Sequence, residues 1–241
     1  MADSKNTIKI AAIDWCPQLC PNQDQKGYII DIVKEVYRDS EYQLEIETYP
    51  WSRALTMVRQ GRVDAVLSPA RAEAPTLRYP QQEVGFQRMC FFNDIDSQWH
   101  FTGIDSLTNK QFGLANDTSL EELNSYLAEN PEQFQFQPYH ERYLIQQARK
   151  VKRGRIEAFL FTYNSTIYEL NKQGIAEQFK SAGCVTNAQI YMAFTPKVDH
   201  SMRIERMMER FDREIIRLRE NGFIRQTLQS YGLPDWDEHP K

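Results

Sequence analysis

In this 241-residue chain two tryptophans, a hydroxyl-bearing turn and a few carboxylates are the residues best placed to act on a small molecule. Trp15 and Trp51 each offer a broad ring face and one N–H. A stacking or cation–π contact on such a ring contributes roughly 0.5–2 kcal/mol. Trp15 follows the first strand-like run and Trp51 opens the second helical pattern; packing of a loop or core is the alternative for both. Asn116-Asp117-Thr118-Ser119 lies between a strand-like run and a helix. Backbone N–H groups and hydroxyls at such a place suit an anion. Simple N-capping by Thr118 or Ser119 explains them equally well, and the Asp117 charge opposes an anion. Tyr28, at the first helix start, and Arg53, in the first turn of the second helix, are weaker candidates. Asp14 and Asp117 are the carboxylates placed for acid–base work, with structural roles as the alternative. Cys16 and Cys20 flank Pro-Gln-Leu, close enough for a local disulfide; bridged and free forms both stay open. His100, His140, His200 and His239 are scattered, so no metal site is expected.

These residues need a scaffold, and a repeat reveals it. Gly61-Arg-Val-Asp-Ala-Val-Leu67 returns 93 residues later as Gly154-Arg-Ile-Glu-Ala-Phe-Leu160. Before each copy stand a strand-like run and an amphipathic helical pattern, LEIETYPWSRALTMVRQ and FQFQPYHERYLIQQARKVKR. The glycine caps the helix in the left-handed conformation, and an apolar run then begins a buried strand. Strand, helix and parallel strand form a right-handed βαβ unit. Two such units predict two α/β lobes whose strand ends surround one cleft. Strands are expected over 7–14, YQLEIETY, VDAVLS, 85–93, KQFGLAN, FQFQPY, IEAFLF and 187–196. Helices are expected from Gly27-Tyr28, over Trp51 to Gln60, from near Leu120, before Gly154, and over 200–221. The last of these points Ile204, Met208, Phe211, Ile215 and Leu218 inward, and a short helix, FIRQTLQSYG, follows. SPARAEAPTLRYP reads as a proline-punctuated loop. The chain passes between lobes near 90–96 and 188–195, and two crossing strands make a hinge.

Composition narrows the classes. A net charge of −4 with both signs interspersed gives no basic stripe for nucleic acid. The densest basic run, RKVKRGR at 149–155, reads as a solvated helix end where cations suit the dipole. No apolar stretch approaches the ~20 residues of a membrane span. The first residues, MADSKNT, lack the apolar core of a signal peptide, which predicts a cytoplasmic chain or an exported one without its leader.

Trp15-Cys-Pro17, GYIIDIVKEV, WSRALTMVRQGRVDA and the ending AFTPKVD…FDREIIRLRENGFIRQTLQSYGLPDW together resemble the extracellular solute-binding proteins of the amino-acid-binding type. These are the type II periplasmic binding proteins that serve ABC importers, and the resemblance runs from about residue 7 to 236. It implies an α/β, two-lobed fold with the second lobe inserted in the first and two hinge strands. Residues 1–93 and 194–241 form the first lobe and 94–193 the second. It further implies that a small-molecule ligand closes the lobes and that the closed form docks on the membrane permease of an ABC importer. A periplasmic monomer is expected, its signal peptide removed, with no catalysis, no cofactor and no nucleic-acid partner.

The same resemblance assigns site residues. Trp15 and Trp51 flank the cleft. Ser68, Pro69 and Ala70 correspond to a stretch that binds a carboxylate through backbone N–H groups and a hydroxyl, although Pro69 has no N–H to give. The arginine that pairs with the carboxylate falls near Pro75-Thr76, where this chain has none; Arg71 or Arg78 is the substitute. In the second lobe Thr118 and Ser119 take the carboxylate. The aspartate that holds an ammonium is missing after the repeated strand, where Thr162, Tyr163 and Asn164 stand instead as hydrogen-bonding candidates. The signature of an α-amino acid is thus incomplete at both ends, and the expected ligand is a small polar solute, an amino acid or a related compound. A ligand-sensing module of a signalling system is the second expectation, and a dehydratase-like enzyme on the same scaffold the third.

Overall fold

The apolar runs form strands and the 3.6-residue patterns form helices in a computed structural model that describes residues 6–21, 23–116, 120, 123–140, 142–197 and 201–236. The chain divides into two compact units. One comprises the described residues up to Phe86 and from Ala188 to Trp236; the other comprises Gln87–Asn187.

In the first unit β1 (Thr7–Ala12) lies between β2 (Gln43–Thr48) and β3 (Ala65–Ala70), all parallel. The last part of β8 (Phe179–Phe194) adds antiparallel to β3. Parallel neighbours require crossovers, which α1 (Tyr28–Tyr37) and α2 (Trp51–Arg59) supply. Ile29, Ile32, Val33 and Val36 form the buried stripe of α1. α6 (Ser201–Glu220) packs on α1, and the Tyr37 hydroxyl donates to the Met207 carbonyl at 3.0 Å. Met207 rather than Met208 is fully buried, because it sits three residues after Ile204 and four before Phe211. After α7 (Phe223–Ser230), the Tyr231 hydroxyl accepts the Gly27 N–H at 2.9 Å and donates to Asp31 Oδ2 at 2.7 Å. The chain end is thereby tied to the start of α1. Gly27 has φ 107°, and a Cβ there would meet the Gln18 carbonyl oxygen at 2.4 Å, so a side chain is excluded.

In the second unit β4 (Gly85–Asp94) runs antiparallel to β7 (Ala158–Thr162). β7 is parallel to β5 (Phe112–Ala115), and β5 to β6 (Phe134–Gln137). Side chains alternate between two buried faces. Phe92 and Phe159 pack with Tyr143 and Leu170 of α4 (Tyr143–Lys152) and α5 (Tyr163–Lys172). Phe91 and Leu160 pack with Trp99, Phe112 and Leu127 of α3 (Asn124–Glu129). Burial on both faces explains why β7 reads as an unbroken apolar run.

The repeated heptapeptide has the same geometry in both units. Gly61 and Gly154 have φ 71° and 63°. Their N–H groups donate to Val58 and Val151, and the next residues, Arg62 and Arg155, donate to Met57 and Lys150. These paired bonds satisfy the last helical carbonyls. The acids that follow anchor the strands. Asp64 accepts the Lys9 N–H at 2.8 Å and pairs with Arg203. Glu157 pairs with Lys110 at 3.0 Å and accepts the Ser97 hydroxyl at 2.8 Å.

Several expectations change. β3 continues past Ser68 through Pro69-Ala70, which the proline-rich composition disguises as loop; the irregularity between Leu67 and Ala70 accommodates Pro69. β8 begins at Phe179 rather than 187, because FKSAGCVT is half-buried and has no clean alternation. The helix expected from Leu120 is described only from Asn124, while Leu120 and Leu123 are buried ahead of it. All four cysteines are paired, Cys16 with Cys20 and Cys90 with Cys184. The second pair is invisible in the sequence, since only the fold brings residues 94 apart together. Among the described residues no helix is long and apolar enough to cross a membrane.

Candidate functional site

Parallel strands put their carboxyl ends on one edge, so each unit has an edge where candidate residues gather. In the first unit that edge follows Ala12, Thr48 and Ala70. Trp15 is half-buried in a tight loop that exchanges two backbone hydrogen bonds with Leu19, at 2.7 and 2.9 Å, and is closed again by Cys16–Cys20. Trp51, the first residue of α2, is half-buried against the cluster of Ala11, Ala54, Val66 and Ala74, and so serves partly as core. Tyr28 is wholly buried.

Ser68 stands out. It has φ 74°, an uncommon conformation for a non-glycine residue, and is buried with no hydrogen-bond partner for its Oγ. Strained positions held by their surroundings cluster at functional sites. The next residues are firmly held. The Ala70 N–H donates to Glu73 Oε2 at 2.8 Å. The Tyr79 hydroxyl lies 3.2 Å from the Ala70 carbonyl and 3.0 Å from that of Ala74. Burial, then the Glu73 charge, pushes Tyr79 up to about 12. The Arg71 guanidinium faces two rings, at 4.9 Å from Tyr79 and 4.5 Å from Tyr191, and donates to the Pro80 carbonyl at 2.8 Å. Arg78 bonds Glu205 at 3.0 Å and reaches Ser201, a link to α6. Arg53 lies 5.3 Å over the Tyr49 ring.

In the second unit the edge follows Ala115, Gln137 and Thr162. Thr118 and Ser119, with Asp117, lie outside the described residues. Asn116 is exposed and its N–H donates to the Gln137 carbonyl at 2.7 Å. Tyr139 stacks on Phe161 at 5.2 Å, with Tyr143 5.4 Å from the same Phe161 ring. Thr162 is the N-cap of α5, and its buried Oγ1 has no hydrogen-bond partner. Tyr163 lies under the guanidinium of Arg88, at 4.6 Å, and Asn164 is half-buried beside it in sequence. The fold thus gathers Thr162, Tyr163 and Asn164 around one helix start and brings Arg88 to them. Sequence reasoning missed Arg88. Its only signal was a charge inside the apolar strand GFQRMCFF, unusual because arginine is seldom buried.

Bacterial extracellular solute-binding proteins, family 3, match this chain over residues 13–233. Among solved structures the chain is similar to the probable amino-acid ABC transporter extracellular-binding protein YtmK of Bacillus subtilis. The identity is 17%, with 93% of this chain and 97% of that one covered, at a TM-score of 0.70. It is similar to substrate-binding domain 2 of Lactococcus lactis GlnP in its open conformation, with 17% identity, coverage of 95% and 96%, and a TM-score of 0.68. A histidine kinase sensor domain similar to periplasmic binding proteins matches with 17% identity, coverage of 93% and 95%, and a TM-score of 0.64. Likeness at this identity speaks to the fold. No curated protein sequence matches the chain significantly.

Proposed function

The chain belongs to family 3 of the bacterial extracellular solute-binding proteins, and we propose that it captures a small polar solute for an ABC importer, without catalysis. One observation carries this reading. One residue past the first copy of the repeat and two past the second, near the carboxyl end of the strand in each case, stands a buried hydroxyl with no partner: Ser68 Oγ and Thr162 Oγ1. A buried unsatisfied group costs about 1–3 kcal/mol, and a ligand hydrogen bond recovers that cost. Trp15, Trp51, Ala70, Arg71, Tyr163 and Asn164 are the further lining residues in this reading. β4 and β8, which both pass from one unit into the other, act as the hinge. The partner of the loaded protein is a membrane permease, and the working form is an exported monomer. Two disulfides suit an oxidising compartment.

A thermal-shift screen of amino acids, polyamines, small carboxylates and short peptides tests the reading. A solute that binds only the native state stabilises it by about 2.7 kcal/mol at a hundred times its Kd. A rise of several degrees for one chemical class is expected. No shift with any solute sinks the reading.

The match to a histidine kinase sensor domain favours a second reading, a ligand-sensing module. Genes for a permease and an ATPase beside this one support transport; a sensor kinase gene in their place supports sensing.

A further inference from the structure

A groove runs along α4 in the second unit, walled on its other side by the second half of α5. Its two adjoining cavities, of about 300 and 340 Å³, share Ile145, Arg149 and Gln173. Arg142, Ile145, Gln146, Arg149, Lys152 and Arg153 line it at i, i+3, i+4, i+7, i+10 and i+11, one continuous stripe of helix surface. Ile145 and Ile175 are half-buried at its floor, with Phe179 buried below. The rim is cationic. Arg142, Arg149, Lys152, Arg153 and, from α5, Lys172 are all exposed. Lys152 pairs with Asp94 at 2.6 Å. Among the described residues the other four pair with no carboxylate. Glu169, the acid that lines the groove, accepts a hydrogen bond from Gln173 at 3.0 Å. The carboxyl ends of α4 and α5 each add about half a negative charge. Together with Glu169 and Asp94 they leave about two of these positive charges unbalanced. The helix dipole thus explains part of the basic run. It opposes Arg142, which stands at the N-cap of α4. The excess is local, in a chain whose net charge is −4.

We propose that this groove docks an acidic, extended segment of a partner protein, its carboxylates on Arg149 and Arg153 and one apolar side chain over Ile145 and Ile175. Charge complementarity selects the acidic residues, and arginine forks match carboxylates bidentately. The stripe from 142 to 153 is about 16 Å long at 1.5 Å per residue, the reach of about five extended residues. The cavity volumes sit at the lower end of the range for small-molecule sites, and the cations around them are exposed. That suits a segment laid across the groove better than an enclosed ligand. A flat anionic membrane would reach the rim cations but not the apolar floor. The groove meets α5 from Glu169 onward, away from Thr162 at its start, so this docking role is independent of the solute-binding reading.

The test uses the full chain without solute and fluorescent peptides with the core Glu-Asp-Leu-Asp-Glu, the same core with lysine for each acid, and the acidic core with glycine for leucine. Fluorescence polarisation at low salt is expected to show the acidic peptide bound and the basic one not. Binding is expected to weaken about tenfold between roughly 20 and 200 mM salt, as exposed charges are screened. The glycine peptide is expected to bind about fivefold more weakly, through the lost apolar contact. Arg149→Gln combined with Arg153→Gln is expected to weaken the acidic peptide about tenfold or more. Its Tm is expected to stay close to that of the parent, because both side chains are exposed. An acidic peptide that does not bind overturns the inference, and so does binding that the double variant leaves unchanged. Equal binding of the glycine peptide removes the apolar anchor and overturns it too. Sedimentation with phosphatidylglycerol vesicles, lost in the double variant and without peptide binding, overturns it in favour of a membrane surface. Each of these failures leaves the solute-binding reading standing.

Discussion

Ser68 combines a left-handed backbone with a buried hydroxyl that has no partner in the protein. Each feature opposes folding, the backbone by about 1–3 kcal/mol and the hydroxyl by a similar amount. Residues at which local stability is sacrificed in this way belong to sites where something else uses them. The two costs separate experimentally. Ser68→Ala keeps the Cβ and its backbone strain but removes the unsatisfied hydroxyl. Without solute the variant is expected to be more stable than the parent by about 1 kcal/mol, and solute binding is expected to weaken. Denaturant titration and calorimetry measure the two effects. A variant that loses stability and binds unchanged would show that Ser68 is structural. Arg71 illustrates the opposite situation. The sequence suggests it as a carboxylate partner, but two tyrosine rings and the Pro80 carbonyl already engage it. The neighbours that fix it come from Tyr79 and from β8, elements no local pattern connects to it. Arg88 escaped notice for the same reason, since its meaning depends on the β4–β7 register.

The two copies of the repeat are a natural experiment on helix termination. Gly61 and Gly154 hold the same left-handed conformation and make the same pair of hydrogen bonds. Their surroundings differ. A Cβ at Gly154 meets nothing within 4 Å, whereas at Gly61 it approaches Lys197 Cγ at 2.9 Å. Gly154→Ala therefore reports the left-handed penalty alone, about 1 kcal/mol. Gly61→Ala adds displacement of a flexible side chain and is expected to lose slightly more. Urea unfolding of both variants checks this, and a neutral Gly154→Ala would contradict it. The repeat was legible because capping glycine, helical stripe and apolar strand are all local signals. The parallel strands and their helices follow from it. The start of β8 was not legible, because FKSAGCVT is half-buried without alternation and is held in place by its neighbours. Pro69-Ala70 looked like loop because a proline ordinarily excludes a central strand.

At the scale of the whole chain, each unit carries its own core and its own disulfide. Cys16–Cys20 closes a loop in the first, and Cys90–Cys184 links β4 and β8 in the second. A disulfide restricts the unfolded chain, and on the chain-entropy account the restriction grows with loop length. The separations are 4 and 94 residues, for which that account gives a difference of about 2–3 kcal/mol in favour of the long loop. Cys90 is also fully buried in the cluster of Phe92, Phe159 and Leu170, so losing it disturbs packing as well. Replacing Cys90 and Cys184 together by alanine is expected to cost more stability than the same change at Cys16 and Cys20. Denaturant unfolding with a probe in each unit measures both, because two cores need not unfold as one. Trp99 packs in the second unit and Trp236 in the first, so single-tryptophan versions of the chain separate the two transitions. The loss on removing Cys90–Cys184 should appear at Trp99. Equal losses for the two pairs would mean that loop length does not govern their contribution. If the long-loop bridge dominates, a reducing compartment would selectively weaken the second unit, which holds the unpartnered Thr162 hydroxyl.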